Sequence, residues 1–227
     1  MELTILMPCL NESASLDFCV REAAAYLESR KIPGEVLIAD NGSTDGSRDL
    51  AAAAGARVIT VPETGYGNAL RSGIAAAEGK YVIIGDCDGS YDFSDLDSIL
   101  EQLRKGCHLV VGNRFSGGIQ PGAMPFWHRY LGVPLLSWLG RRRFRVQVTD
   151  FHCGLRGFLR TAAITTGLQS SGMEFATEII GSFADAGLQI CQVPVPLRKD
   201  LRQHPGHLRT IPDGIRHLKL MLFWKHR

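Results

Sequence analysis

Five short apolar runs, Leu3–Met7, Val36–Ala39, Val58–Val61, Tyr81–Ile84 and Leu109–Val111, punctuate the first half of the chain. Between them lie segments with helical spacing, Leu16–Arg30, Ser47–Ala54, Asn68–Ala77 and Leu96–Arg104. Strand-length apolar runs alternating with amphipathic helices predict an α/β fold, a mostly parallel central sheet with helices on both faces. In open sheets of that kind ligands bind beyond the carboxyl ends of the strands. The loops that follow the runs hold Asn11-Glu12, Asp40–Asp45, Glu63–Asn68, Asp86–Asp88 and Gly112–Arg114, so the residues able to do chemistry converge on one edge.

Composition narrows the class. A chain of 227 residues with 45% hydrophobic and 21% charged side chains can bury one substantial core, and a single α/β domain is expected. The formal net charge of +2 argues against a protein that coats nucleic acid, and no nucleic-acid partner is expected. Six cysteines without a Cys-x-x-Cys pair fit neither a zinc ribbon nor a disulfide framework, which predicts a reducing, cytoplasmic setting. The amino terminus lacks the basic region and long apolar run of a signal peptide, and no stretch reaches the roughly 18 apolar residues that cross a bilayer. The expectation is a soluble protein or one peripheral to the cytoplasmic face of a membrane, either a natural short form or a fragment of a longer chain.

Gly85-Asp86-Cys87-Asp88 closes the apolar run Tyr81–Ile84 and places two carboxylates one residue apart where a buried strand should end. Alternation in an extended chain turns Asp86 and Asp88 to the same side, toward one hard divalent cation, Mg2+ or Mn2+, or the phosphates it carries. An acidic pair is ordinary in a surface turn; its position at a strand end sets this one apart. Two nucleotide motifs are excluded. The first strand runs into Pro8-Cys9-Leu10-Asn11-Glu12 instead of a Gly-x-Gly-x-x-Gly turn, and Gly73…Gly79-Lys80 has the wrong spacing and leads into a strand, unlike a phosphate loop.

Six segments, in order, resemble the inverting family 2 glycosyltransferases of GT-A fold, and among them the dolichol-phosphate mannose or glucose synthase-like group. They are Met7–Glu12, Asp40–Gly46, Gly65–Leu70, Asp86–Asp88, Gly112–Phe115 and Thr149–Phe158, and the likeness runs from about residue 3 to about residue 220. The resemblance implies a nucleotide-sugar donor of the UDP-glucose or GDP-mannose type, bound by Pro8, Asn11, Glu12, Asp40, Gly42, Gly67, Asp86 and Arg198. It also implies Asp86 and Asp88 as metal ligands, and a catalytic set of Asp88, Asp150, Arg114 and Arg209. The chemistry suits such residues, because a departing diphosphate builds negative charge that a cation and guanidinium groups neutralise.

The acceptor is less constrained. A hydroxyl acceptor needs a carboxylate base, for which Asp150 stands ready, whereas a polyprenyl phosphate is already ionised and needs cationic positioning. Arg114, Arg156, Arg198 and Arg209 supply candidates, the last two within Val195–Arg198 and His207–Arg209; His152 reads as structural. Phe126–Leu139 followed by Arg141–Arg145, and Ile211…Leu222 with Arg216, Lys219, Lys225 and Arg227, are apolar and basic in the manner of membrane-surface helices. The expected organisation is a glycosyltransferase domain over 1–209 and an amphipathic helix over 210–227. A sugar-phosphate nucleotidyltransferase and a non-catalytic sugar- or lipid-binding module are the other classes these residues leave open.

Overall fold

Near-continuous apolar runs can lie only in strands buried on both faces, and that is where the structure places them. The computed structural model describes residues 1–202, 206 and 209–224. Its strands are β1 (Leu3–Cys9), β2 (Gly34–Asp40), β3 (Arg57–Thr60), β4 (Tyr81–Ile84), β5 (Leu109–Asn113), β6 (Arg156–Leu159) and β7 (Ile190–Pro194). Its helices are α1 (Leu16–Ser29), α2 (Ser47–Ala53), α3 (Tyr66–Ala76), α4 (Asp97–Arg104), α5 (Arg114–Gly117), α6 (Val133–Phe144), α7 (Arg160–Thr165), α8 (Phe175–Asp185) and α9 (Thr210–Leu222), with one π-helical turn at His128–Gly132. The five expected strands and the four expected helices of the first half all form, with ends shifted by at most two residues.

The strands make one sheet in the order β3-β2-β1-β4-β6-β5-β7. All neighbours are parallel except β6, which runs antiparallel to both β4 and β5. That reversal matters for the site. Because β6 points the other way, the segment that precedes it, around residues 150–155, lies at the same edge as the carboxyl ends of β1, β2, β4 and β5. Leu3, Ile5, Leu6 and Met7 of β1 and Leu37 and Ile38 of β2 are wholly inaccessible, and they anchor the edge by filling the sheet interior.

Two features depart from the expectations. Cys107 and Cys191 form a disulfide across a Cα separation of 6.1 Å, at the amino ends of β5 and β7. Their separation of 84 positions hid the pair from local spacing. The carboxyl-terminal helix, expected as a separate amphipathic element, packs on α6 and α8. His217 and Met221 of α9 are buried, the indole N–H of Trp224 donates to Asp185 at 2.8 Å, and Arg143 donates to the carbonyl oxygens of Met221 and Trp224 at 3.1 and 2.9 Å. Lys225 and Arg227, counted toward its basic face, lie outside the described residues.

Gly67, expected in the donor pocket, is a packing position. Its N–H donates to the carbonyl of Ser171 at 2.9 Å, and a Cβ there would lie 2.2 Å from the carbonyl oxygen of Ser170. Both obstacles are backbone, so no side chain can swing aside. Gly67→Ala is expected to destabilise the ligand-free protein by about 1–3 kcal/mol through overpacking. Thermal denaturation without any donor present checks this; an unchanged midpoint would return Gly67 to the ligand.

Candidate active site

The ends of β1, β2 and β4 and the loop before β6 enclose a cleft of about 540 Å³. Pro8, Cys9, Glu12, Asn41 and Thr64 line one end, Asp86, Asp88 and Ser90 the middle, and His152, Gly154, Arg209, Asp213 and His217 the other. Ala123, Met124, Pro125, Val133, Leu136 and Leu197 add an apolar wall.

Local chemistry sets the acidic turn. The Asp88 carboxylate is buried; its Oδ1 accepts the backbone N–H and hydroxyl of Ser90 at 2.9 and 2.6 Å, and its Oδ2 lies 2.9 Å from Nη1 of Arg202. Oδ1 of Asp86 accepts the Tyr66 hydroxyl at 3.1 Å. Gly154 faces the other oxygen so closely that a Cβ would come within 2.5 Å of it, so a side chain there would push the Asp86 carboxylate aside. Burial, and then the charge of Asp88, push the Asp86 carboxyl up to about 6, against the opposing pull of Arg202 and Tyr66. Arg202, which no sequence motif singled out, bridges the cluster. Its Nε contacts both carboxylate oxygens of the buried Glu12 at 2.7 and 3.0 Å while Nη1 holds Asp88. The backbone seats it, for Leu201 N–H donates to the Asp88 carbonyl at 2.8 Å and Arg198 N–H to that of Ser90 at 2.8 Å.

A divalent cation fits this donor set. Asp86 and Asp88 are hard oxygen ligands, and no cluster of three or more acidic, histidine or cysteine side chains able to hold a metal occurs among the described residues. Two carboxylates suit a cation that completes its shell with water and substrate phosphates.

Other expected site residues have different duties. Asp40 is wholly buried and accepts the N–H groups of Gly42 and Ser43 at 3.2 and 3.3 Å, closing a turn in which Gly42 takes a φ of 100°. Asn11 Oδ1 accepts the Thr44 N–H at 2.8 Å and so ties the β1 loop to the β2 loop. Neither Asp40, Asn11 nor Gly42 lines the cleft, whereas Pro8, Glu12 and Asn41 do. Arg198 lies away from it, its guanidinium shared between Glu22 at 3.0 Å and Asp92.

Arg114 and Asp150 meet in a bidentate pair, Nε to Oδ2 at 2.7 Å and Nη2 to Oδ1 at 2.8 Å, with Asp150 fully inaccessible. In the ligand-free protein Asp150 is thus inaccessible and paired, and the fork of Arg114 is occupied by it. Truncating either partner would strand a buried charge at a cost of about 3–5 kcal/mol. Arg156 is also buried and donates to the carbonyl oxygens of Phe151, Cys153 and Ala176 at 2.5–2.7 Å, so it shapes the 150–154 loop. His152 packs edge-on against His217 with centroids 4.5 Å apart, and burial holds both imidazoles neutral, that of His217 down at about 4. Of the four candidate arginines, Arg209 alone is both exposed and on the cleft, at the start of α9; the adjacent His207 and Leu208 lie outside the described residues.

Glycosyl transferase family 2 is the family model this chain matches, over residues 4–167. The chain belongs to that family. It is 38% identical over 221 residues to the low-salt glycan biosynthesis hexosyltransferase Agl6 of Haloferax volcanii, covering 97% of this chain and 53% of that protein. It thus spans about half the length of that relative. A dolichyl-phosphate hexose transferase of the same organism is 27% identical over 199 residues, covering 87% of this chain and 83% of the relative. Among solved structures, glucosyl-3-phosphoglycerate synthase from Mycobacterium tuberculosis, in complex with Mn2+, UDP-glucose and phosphoglyceric acid, superimposes with a TM-score of 0.76 at 25% identity, covering 97% of this chain and 78% of that one. The fold is the GT-A glycosyltransferase fold.

A cation held by Asp86 would require that carboxyl to be deprotonated. Because the fold raises that carboxyl to about 6, affinity for Mn2+ in the presence of UDP or GDP should climb as pH rises through that value and fall on the acid side. Titration calorimetry across the range from about pH 5 to about pH 7.5, where an ordinary carboxylate would already be ionised, checks it. Asp86→Asn should flatten the profile.

Proposed function

We propose that this protein is an inverting, metal-dependent hexosyltransferase that moves a hexose from a nucleotide sugar to a polyprenyl phosphate. One observation carries the proposal: a single cleft joins the acidic turn at Asp86 and Asp88 to an apolar wall, and that wall borders an exposed aromatic and basic surface. Sheet order supplies a ruler along it. The base belongs over the β1, β2 and β3 loops at Pro8, Asn41 and Thr64, the diphosphate over β4 at Asp86 and Asp88, and the hexose toward the loop before β6 at His152 and Gly154.

The reaction forms a bond from an acceptor oxygen to the anomeric carbon and breaks the bond from that carbon to the diphosphate. A bound Mg2+ or Mn2+ supplies charge neutralisation to the departing diphosphate. Asp86 and Asp88 would hold that cation. Arg202, beside Asp88, adds a second positive charge to the leaving group. Arg209 faces the same cleft and offers the acceptor phosphate a guanidinium that has no side-chain partner among the described residues, a charge-assisted contact. A phosphate acceptor brings its own ionised oxygen. The closure of Asp150 by Arg114 therefore favours it over a hydroxyl acceptor, which needs a free base nearby.

The surface beside the cleft suits a lipid acceptor. Phe126, Trp127, Tyr130, Leu131, Leu135 and Trp138 are exposed along the π-turn and α6, and Ile211, Ile215, Leu222 and Phe223 along α9. Arg129 and Arg142 lie over the rings of Tyr130 and Trp138. Such a surface is built to enter a headgroup layer at the cytoplasmic face of a membrane. Among the described residues no helix is long and apolar enough to cross a bilayer.

Transfer assays with UDP-glucose or GDP-mannose, Mn2+ and a short polyprenyl phosphate should give product, with neutral polyprenol and 3-phosphoglycerate as controls. Asp88→Ala should remove transfer by about 10²–10³-fold, and Arg209→Ala should cost about 1.5–3 kcal/mol, confined to the phosphate acceptor. Equal rates with polyprenol, or preference for phosphoglycerate, would overturn the acceptor assignment. Flotation with anionic vesicles is expected to decline as salt rises and to be lost in a Trp127→Ser, Ile211→Ser, Phe223→Ser variant, whose changes touch only exposed positions. Equal flotation of that variant would remove the membrane from the proposal.

A further inference from the structure

Two thiols meet beneath the acidic turn. Cys9 ends β1, and Cys87 stands between Asp86 and Asp88. The parallel register that sets Leu6 against Ile84, carried three residues on, sets Cys9 against Cys87. The chains stay together past the end of the ladder, since Gly85 N–H donates to the Leu6 carbonyl at 3.2 Å and the Cys87 thiol to the Pro8 carbonyl at 3.2 Å. The Cys9 sulfur lies 3.8 Å from the Ser43 hydroxyl, and the two thiols perturb each other's acidity, Cys9 downward and Cys87 upward. Only 2% and 1% of their residues' surfaces are exposed, and Cys9 forms part of the cleft floor. Neighbouring strands run about 4.8 Å apart, within the Cα spacing of about 4.4–6.8 Å that a disulfide spans. The hexosyl transfer proposed above uses neither sulfur.

We propose that Cys9 and Cys87 are a redox-active dithiol, which a hydroperoxide entering the cleft oxidises to a disulfide, with loss of the cation site. The proposal rests on the assignment of Asp86 and Asp88 as that site. The chemistry balances: the two thiols give up two hydrogens and two electrons, an S–S bond forms, the peroxide O–O bond breaks, and an alcohol and water leave. For hydrogen peroxide the products are two waters. An S–S bond of about 2.05 Å removes the Cys87 thiol hydrogen, so its hydrogen bond to the Pro8 carbonyl is lost and Cys87 is drawn to Cys9. Asp86 and Asp88 flank Cys87 on the same short turn and are displaced with it. The hydrogen bond from Ser15 Oγ to the Cys87 carbonyl, at 2.7 Å, would be strained by the same movement.

The full chain, treated with hydrogen peroxide and digested without reductant, should yield a Cys9–Cys87 cross-linked peptide two hydrogens lighter than the free pair. Mn2+ binding in the presence of UDP or GDP, read by electron paramagnetic resonance of the free ion, should weaken about tenfold or more on oxidation and recover with dithiothreitol. Cys9→Ser and Cys87→Ala should each keep their Mn2+ affinity through peroxide treatment. A Cys107→Ser, Cys191→Ser protein, lacking the other bridge, should respond as the parent does. Absence of the cross-link in the folded parent after peroxide treatment overturns the dithiol, and a cross-link that leaves Mn2+ affinity unchanged overturns its control of the site. If the reduced protein binds no Mn2+ with nucleotide, the cation-site assignment fails instead, and the peptide map still decides whether the thiols join.

Discussion

Negative charge forced together at the end of β4 is the constraint around which this molecule is arranged. Asp86 and Asp88 share one short turn, the carboxylates of Glu12 and Asp88 are buried, and buried charge is costly unless it is paired. Arg202 relieves that cost in the ligand-free protein by touching both Glu12 and Asp88. Its segment is held there by main-chain hydrogen bonds to the turn itself, and by the contact of Leu201 with Gly89, where a Cβ would come within 2.8 Å. A guanidinium and a divalent cation answer the same electrostatic need. The site thus keeps its acidic geometry in the ligand-free protein.

The other buried arginines show how the surrounding loop is made rigid. Arg156 gives three hydrogen bonds to carbonyl oxygens of Phe151, Cys153 and Ala176, and Arg114 closes on Asp150 with two. Between them they fix the 150–154 loop beside the acidic turn, so that Gly154 can press against Asp86. An arginine near a phosphate-handling cleft looks like a ligand from sequence. In this fold two of the four candidates hold the walls instead, a third pins a distant loop, and one remains facing the cleft. Desolvation explains the division: a fully buried guanidinium needs all its donors satisfied internally, whereas one at the cleft surface can hold a donor in reserve.

The apolar residues of α6 and α9 illustrate a second division of labour. Each helix turns one face inward, with Ser137, Gly140 and Phe144 on the first and Asp213, His217 and Met221 on the second, and leaves large aromatic and aliphatic side chains outward. A soluble surface gains nothing from Trp127 or Phe223 in water, while a lipid interface recovers their burial energy. Because the apolar wall of the cleft comes from the neighbouring residues Met124, Pro125, Val133 and Leu136, the outward surface and that wall are made by one stretch of chain.

Much of this was legible in the residues. Period and run length alone located the first five strands and the helices between them, because a buried parallel strand must be apolar throughout and its helices must carry one apolar stripe. The pair at Asp86 and Asp88, and the family likeness in six ordered segments, were legible for the same reason: both are local, set by neighbours in the chain. What the sequence could not disclose depends on residues far apart meeting in space. Arg202 lies 114 positions beyond Asp88, Cys107 lies 84 before Cys191, and the Arg114–Asp150 pair spans 36. The antiparallel turn of β6 was equally hidden, since an apolar run carries no direction. Burial and partner choice decide whether an arginine binds a ligand or a wall, and only the tertiary structure decides those.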